Sequence, residues 1–159
     1  MNNIEEIFGN RVRVRVCGIC IDEDKLLLVN HTMGPKKELW LPPGGGINFN
    51  ESAEDALIRE FKEETGLNIA IEKFMFVNEF KSGPLHAIEL FFKVNVTGGA
   101  LVKGFDPELS KGHQIIKNVG FVSFKEIVIM EDEILHNILH GNISQEYLLN
   151  MTGYFKLWQ

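Results

Sequence analysis

Cysteine and long apolar runs are scarce in this sequence, and each absence excludes a class of protein. The 159 residues contain two cysteines, Cys17 and Cys20, and no second pair to complete a four-ligand zinc site. Along a strand these two positions point to opposite faces, so we expect reduced, structural thiols. No segment approaches the ~18 apolar residues of a membrane-spanning helix, and residues 1–10 lack the basic start and apolar run of a signal peptide. We therefore expect a cytoplasmic protein without a membrane partner.

Positively charged residues are also fewer than negatively charged ones. The chain has 16 lysines and arginines against 22 acidic residues, a net charge of -6. Binding to a nucleic-acid backbone requires a basic surface, so nucleic acid is not expected as a partner. A small phosphate compound complexed by a metal ion is compatible with this balance. The length and the lack of repeats predict a single domain over residues 1–159.

Residues 45–67 carry the most informative pattern, GGINFNESAEDALIREFKEETGL. The fixed positions are, in order, Gly45, Glu51, Arg59, Glu60, Glu63, Glu64 and Gly66, with Phe61 and Leu67 apolar. This spacing resembles the signature of the Nudix hydrolase family, Gx5Ex7REUxEExGU with U an apolar residue, and it matches at every position. Seven fixed residue types at ordinary frequencies give a chance match on the order of one in 10^8 per window.

The residues of this segment predict a charged site even without the resemblance. Residues 51–65 lack glycine and proline, which predicts a helix with Asn50 as N-cap and Gly66 as C-cap. Three carboxylates fall on the same side of that helix as its apolar stripe, so a positive group should lie among them. Arg59 and Lys62 could form a salt-bridged face, whereas a hard divalent cation suits the carboxylates better. The apolar stripe consists of Ala53, Ala56, Leu57 and Phe61, and the carboxylates are Glu60, Glu63 and Glu64.

The resemblance implies a hydrolase that cleaves a phosphoanhydride bond of a nucleoside diphosphate linked to another moiety. It implies Mg2+ as cofactor, with Mn2+ possible, and a structural salt bridge between Glu51 and Arg59. The implied metal ligands are Glu60, Glu63, Glu64 and the carbonyl of Gly44. The candidate catalytic residues are Glu63, Glu60, Arg59, Glu51 and Glu89.

The general base stays open at this point. Glu63 and Glu60 are the first choices inside the motif, and Glu89 or Glu108 are the choices outside it. Where relatives often carry a glutamate near the late strand, this chain has His113 and Gln114.

Several residues are candidates for substrate contacts. The glycines at 44–46 would let the backbone approach a phosphate, or they form a flexible turn. Arginines alternate with valines at 11–16, so they form either a solvated strand face or a row that contacts phosphate. The predicted substrate-binding residues are Gly45, Gly46, Arg13, Arg15 and Trp40, with Phe49 and Phe80 as further stacking candidates.

The order of elements predicts an α/β fold. Strands are expected at 11–21, 25–30, 69–81, 85–96 and 119–124, with a helix at 125–139. Residues 97–118 are expected to form a lid or specificity loop, or a disordered insertion. The resemblance implies a Nudix-type α/β/α sandwich with a mixed β-sheet and the motif helix on one face, over about residues 10–140. Residues 141–159 would add a C-terminal helix and an aromatic tail with Tyr154, Phe155 and Trp158.

The resemblance leaves the substrate and the activity open between alternatives. A nucleoside triphosphate, a nucleotide sugar or a dinucleoside polyphosphate fits the length better than ADP-ribose, because hydrolases of ADP-ribose often carry an added N-terminal dimerisation subdomain. We expect a monomer or a homodimer. Two alternatives are a nucleotide-sensing domain without turnover and an isomerase of isoprenoid diphosphates, which would require a suitably placed cysteine.

Overall fold

The computed structural model describes residues 3–107, 109–111 and 114–157. The helices are α1 (Asn3–Phe8), α2 (Ala53–Thr65), α3 (Phe124–Ile129) and α4 (Gln145–Leu149), with short 3-10 helices at Asp132–Ile134 and Asn137–Leu139. The strands are β1 (Arg11–Ile19), β2 (Ile21–Asp22), β3 (Lys25–Thr32), β4 (Glu38–Leu41), β5 (Gly44–Gly46), β6 (Leu67–Ser82), β7 (Leu85–Gly99), β8 (Ile116–Ser123) and β9 (Gly153–Phe155).

The strands form two sheets, of which the larger is mixed. Its order is β5-β1-β7-β6-β9, where β1 runs parallel to β7 and β9 runs parallel to β6. The pairs β5 with β1 and β6 with β7 are antiparallel, the latter as a long hairpin that turns at Gly83 and Pro84. In the second sheet β3 pairs with β2, β4 and β8, all antiparallel.

Helical layers cover both faces of the larger sheet. Successive strand residues point to opposite faces, and Phe91 and Phe92 on β7 accordingly enter two separate apolar clusters. Phe92 packs with Leu57 and Phe61 of α2, whereas Phe91 packs with α3 and the C-terminal segment around Leu139. The predicted α/β/α sandwich with the motif helix on one face is confirmed.

The motif helix begins two residues later than predicted. Ser52, not Asn50, is its N-cap, since the Ser52 side chain accepts a hydrogen bond from the backbone N–H of Asp55 at 3.0 Å. Asn50 instead takes a left-handed conformation with φ 65°, which turns the chain into the cap. The C-terminal end is as predicted, with Gly66 in the left-handed region at φ 75°.

Bulges in β6 overturn one prediction for its aromatic residues. Strict alternation along this strand predicts Phe74, Phe76 and Phe80 on one face, because they occupy alternate positions. The register shifts between Phe74 and Phe76, and this shift places them on opposite faces. Phe74 is half exposed beside Phe92, whereas Phe76 is fully buried and stacks on Phe91 at a centroid distance of 4.5 Å.

The helix predicted at 125–139 is wrong beyond residue 129. α3 ends where Met130 adopts an extended conformation, and the chain continues through the two 3-10 helices. Tertiary contacts override helix propensity here, because the backbone N–H of His136 bonds the carbonyl of Trp40 at 2.9 Å. The Asn137 side chain meets Asn78 on β6 at 3.3 Å. A continuous helix over these residues would break at least one of these two contacts.

The described parts of the 97–118 connection and of the C-terminal tail both pack on the domain. Residues 102, 104 and 105 donate backbone hydrogen bonds to the last turn of α2, from Val102 to Thr65 and from Gly104 to Glu64, both at 2.9 Å. This contradicts a disordered insertion for that part of the loop. Phe155 packs edge-on against Phe76 at 5.5 Å, as expected for a packed aromatic tail, and Trp158 lies outside the described residues. No described helix is long and apolar enough to cross a membrane.

Candidate active site

A cleft opens beside the glycine strand β5 and brings together residues that are far apart in the sequence. Its space is about 860 Å³, counting the mouth that is open to solvent. Its wall combines polar and apolar side chains. The polar residues in its wall include Arg13, Arg15, His31, Glu60, Glu89, Asp106 and His136, beside the glycines at 44–46. The apolar residues include Ile4, Phe8, Met33, Leu39, Leu41, Phe80 and Leu85.

Two of the three glycines of β5, Gly44 and Gly45, lie in close approach to neighbouring groups. A Cβ on Gly44 would lie 2.0 Å from the carbonyl oxygen of Val16, because β5 pairs with β1 at this point. A Cβ on Gly45 would lie 2.3 Å from Cδ of Glu60. The strand therefore brings bare backbone against the motif helix, and the interpretation as a merely flexible turn is wrong.

Arg59 ties the motif helix to the segment that precedes it. Its Nε and Nη2 donate to the two carboxylate oxygens of Glu51, at 2.7 Å and 2.9 Å, in a forked pair. Nη2 also donates to the carbonyl of Gly46 at 3.1 Å, and Nη1 donates to Glu60 at 2.7 Å and Glu63 at 3.3 Å. The structure thus contains the predicted Glu51–Arg59 salt bridge. Arg59 is also a positive group among the carboxylates.

The carboxylates of α2 carry more negative charge than Arg59 offsets. Burial raises the pKa of Glu60 to about 7, with repulsion from Glu64 and Glu63 adding to the effect and Arg59 opposing it. Burial and the charges of Asp106 and Glu64 raise the pKa of Glu63 as well, again against Arg59. Glu51 behaves differently, because its hydrogen bonds with Arg59 lower its pKa.

Glu64 is held between β5 and β3. Its Oε2 accepts a hydrogen bond from the backbone N–H of Gly44 at 3.1 Å, and its Oε1 lies 3.5 Å from Nε2 of His31. That imidazole nitrogen is buried without a hydrogen bond. Among the described residues, no group of three or more His, Cys, Asp or Glu side chains stands arranged to hold a metal ion. The Arg59 guanidinium instead donates to oxygens of both Glu60 and Glu63.

This donor set nevertheless fits a divalent cation. Glu60, Glu63 and Glu64 offer only oxygen, Glu60 and Glu64 are buried, and burial raises the pKa of Glu60 in spite of Arg59. Hard cations such as Mg2+ select carboxylate and carbonyl oxygen.

Two of the three arginines of β1 lie at the cleft. Arg13 and Arg15 line it, whereas Arg11 is exposed, as are Val12 and Val14. Arg13 lies with its Cζ 4.0 Å from the ring centre of Phe8, a cation–π contact with α1. Arg13 and Arg15 therefore face the cleft, and their role towards a ligand stays a prediction.

Glu89 is not the solvent-facing strand residue that its sequence position allowed. It is fully buried in the cleft wall and accepts hydrogen bonds from Asn78 at 3.0 Å and His136 at 2.9 Å, with Arg15 at 3.4 Å. Burial alone would raise the pKa of Glu89, but the contacts with His136, Arg15 and Asn78 outweigh it and the net pKa is lowered. This makes Glu89 a poor proton acceptor near neutral pH.

Some predicted contacts lie elsewhere. Trp40 does not line the cleft, because Leu39 and Leu41 point into it and the strand alternation turns Trp40 towards the opposite apolar cluster. Phe49 is 95% exposed, while Phe80 does line the cleft. Glu108 and His113 lie outside the described residues.

The sequence analysis missed Ile4, Phe8, His31, Asp106 and His136 as cleft residues. For Ile4 and Phe8 the only signal in the sequence is that two apolar residues stand four positions apart, as on one face of a helix.

The fold and the cleft define a class: an α/β/α protein whose ligand site carries buried carboxylates beside a glycine strand. A family model described as NUDIX domain matches residues 9–140. The chain belongs to the Nudix family.

Relatives and solved structures agree with this assignment. The chain is 31% identical to an ADP-ribose pyrophosphatase of Methanocaldococcus jannaschii over 121 residues, which are 75% of this chain and 71% of that protein. It is 27% identical to diphosphoinositol polyphosphate phosphohydrolase 3-alpha of Homo sapiens over 126 residues, 79% of this chain and 68% of that protein. A NUDIX hydrolase structure from Nitrosomonas europaea matches with a TM-score of 0.69 at 17% identity, covering 92% of this chain and 79% of that one, which shows the shared fold.

Proposed function

We propose that this chain hydrolyses a phosphoanhydride bond of a nucleoside diphosphate linked to another moiety, with a divalent metal ion held by Glu60, Glu63, Glu64 and the carbonyl of Gly44. The observation that carries the proposal is the set of partly desolvated carboxylates on α2, packed against a glycine strand in the wall of a cleft. Nudix hydrolases generally use divalent metal ions, and we propose Mg2+, with Mn2+ as the alternative. Such an ion, when bound, neutralises phosphate charge and lowers the pKa of coordinated water.

The side chains have separate tasks in this proposal. Arg59 holds Glu51 and the Gly46 carbonyl, and so fixes the helix relative to β5. Gly45 and Gly46 let a phosphate approach the backbone, and Arg13 and Arg15 face its charge from β1.

Glu60 is the stronger candidate to accept the proton of the attacking water, with Glu63 second. It lines the cleft, where the attacking water would lie, whereas Glu63 is not among the lining residues. Glu89 is the weaker candidate because its carboxylate is already taken up by three donors and its pKa is lowered.

The apolar residues of the cleft wall support a nucleoside as the group attached to the phosphates. They include Phe8, Leu39, Phe80 and Leu85, and the Arg13 guanidinium lies over the Phe8 ring. A nucleobase has the flat apolar faces that such a wall accepts. An inositol polyphosphate would require many cations, and the described lining residues include two arginines and no lysine.

A substrate panel tests this proposal. Phosphate and nucleotide release would be measured for ADP-ribose, a nucleotide sugar, a dinucleoside polyphosphate, nucleoside triphosphates and a diphosphoinositol polyphosphate, with Mg2+, Mn2+ or EDTA. The wild-type chain would be compared with Glu63→Gln and with Glu54→Gln, a matched control because Glu54 is exposed on the same helix.

We expect metal-dependent release from a nucleotide substrate that Glu63→Gln loses and Glu54→Gln keeps. Metal-dependent nucleotide binding without release would support a sensing domain instead. Release in EDTA at the same rate would contradict the metal assignment.

A further inference from the structure

A buried polar network lies behind Arg15 and has no part in the chemistry proposed so far. Its centre is Glu89 on β7, which accepts hydrogen bonds from Asn78 on β6 and from His136 in the C-terminal layer. Asn78 also donates to the Asn137 side chain at 3.3 Å. All four side chains are buried, so the network joins the cleft wall to the segment between α3 and α4.

His136 is a fixed donor in this network. The backbone N–H of Ile138 donates to its Nδ1 at 3.3 Å, so Nδ1 carries no proton and Nε2 is the protonated nitrogen. Nε2 therefore donates to the carboxylate of Glu89, 2.9 Å from Oε2 and 3.2 Å from Oε1. The ring also stacks on Phe80, with a centroid distance of 5.6 Å, and its orientation is thereby held.

Arg15 is held only loosely by the same carboxylate. Its Nη1 lies 3.4 Å from Glu89, beyond the 2.7–2.9 Å typical of a guanidinium–carboxylate hydrogen bond. Its Nε is buried without a hydrogen-bond partner, although the side chain lies in the wall of the cleft. A buried guanidinium with unused donors at a ligand cleft is arranged for an anion that arrives with the ligand.

We propose that His136 is a positioning residue that keeps Arg15 available for an anionic group of the ligand. By donating to Glu89, His136 takes up the acceptor that would otherwise draw Arg15 into a forked ion pair. Asn78 assists by occupying Oε2 from the neighbouring strand. The identity of the anion as a phosphate rests on the proposed function, whereas the competition for Glu89 does not.

A double-mutant cycle on anion binding tests the competition. The probe is inorganic pyrophosphate with Mg2+, and the readout is its dissociation constant by titration calorimetry, which requires no turnover. His136→Phe keeps an aromatic ring against Phe80 and removes the donor. We expect it to weaken pyrophosphate binding about tenfold, a change of ~1.4 kcal/mol. In a Glu89→Gln background the same substitution should change the constant less than twofold, because the competing carboxylate is gone.

Two further variants keep the test decisive. Glu89→Gln alone should bind pyrophosphate at least as tightly as the wild type, and His136→Gln, which retains a donor, should recover part of the affinity lost in His136→Phe. The matched control is Glu79→Gln, because Glu79 and His86 form another Glu–His pair on the same hairpin at 2.7 Å. Thermal unfolding of each variant checks that it is folded.

Equal weakening in both backgrounds would overturn the proposal, as would weaker binding by Glu89→Gln or an unchanged constant in His136→Phe. If the double-mutant cycle gives the expected result but the wild-type chain hydrolyses no substrate, the proposed function alone is overturned. If the chain hydrolyses a substrate but the effects of the two substitutions simply add, the role of His136 alone is overturned.

Discussion

Gly45→Ala should separate the stability of the fold from the activity of the site. The added Cβ would lie 2.3 Å from Cδ of Glu60 and 2.4 Å and 2.5 Å from its two oxygens. These atoms end a flexible side chain, so the carboxylate can retreat by roughly 1 Å to reach an ordinary contact. Gly45 lies in a β-strand, a conformation that alanine adopts without strain. The substitution therefore displaces a proposed metal ligand and leaves the backbone in place.

The expected magnitudes differ strongly between the two readouts. A glycine-to-alanine change at a compatible position alters the free energy of unfolding by about 1 kcal/mol or less. A displacement of about 1 Å at a reacting centre costs on the order of 100-fold in rate. That factor corresponds to ~2.7 kcal/mol in the activation barrier, so activity should suffer far more than stability.

The assay pairs kcat/KM on the best substrate with urea unfolding. Gly120→Ala is the control, because nothing lies within 4 Å of a Cβ built there. Gly44→Ala is the contrast, because its Cβ would meet the Val16 carbonyl oxygen at 2.0 Å, and backbone cannot retreat as a side chain does. Activity of Gly45→Ala within twofold of wild type would refute the reasoning. Unfolding of Gly45→Ala as easily as Gly44→Ala would refute it too.

Three further substitutions test the surroundings of the site. Arg59→Lys cannot make the forked pair with Glu51, so the free energy of unfolding should fall by about 1–3 kcal/mol in urea titrations; an unchanged midpoint would contradict this. Ser52→Ala removes the N-cap of α2 and should cost about 1 kcal/mol with kcat retained, and a large loss of kcat would show that Ser52 has another role. The lowered pKa of Glu89 stabilises the fold above the unfolded value of about 4.3, and this contribution is lost as the pH falls through the folded value. Between pH 6 and pH 3.5 the wild type should therefore lose more stability than Glu89→Gln, and equal losses would count against the lowered pKa.

The motif and its helix could be predicted because their signals are local. The carboxylates of α2 alternate with its apolar residues within a few turns, so their common face follows from the helical period alone. The start of α2 was predicted two residues too early because Asn50 and Ser52 are both good capping residues. Only the left-handed conformation of Asn50 decides between them.

The features that sequence reasoning missed depend on long-range contacts. His136 reaches Glu89 across 47 residues, and no periodicity in the 125–139 segment indicates that the helix must stop to allow it. The bulge between Phe74 and Phe76 likewise arises from pairing with β7. It places these two residues on opposite faces of the strand, whereas strict alternation would place them on the same face. Helix α1 is six residues long, and so short a helix depends on packing rather than on propensity, so the apolar residues that it adds to the cleft wall were not expected.

The most direct test of the central claim is a Mn2+ titration followed by electron paramagnetic resonance, since the claim is that the carboxylates of α2 hold a divalent ion at the cleft. The wild-type chain, Glu63→Gln and Glu54→Gln would be compared without substrate. We predict saturable binding in the wild type and in Glu54→Gln, with the affinity at least tenfold weaker in Glu63→Gln. Equal affinity in all three chains, or no binding in the wild type, would contradict the claim.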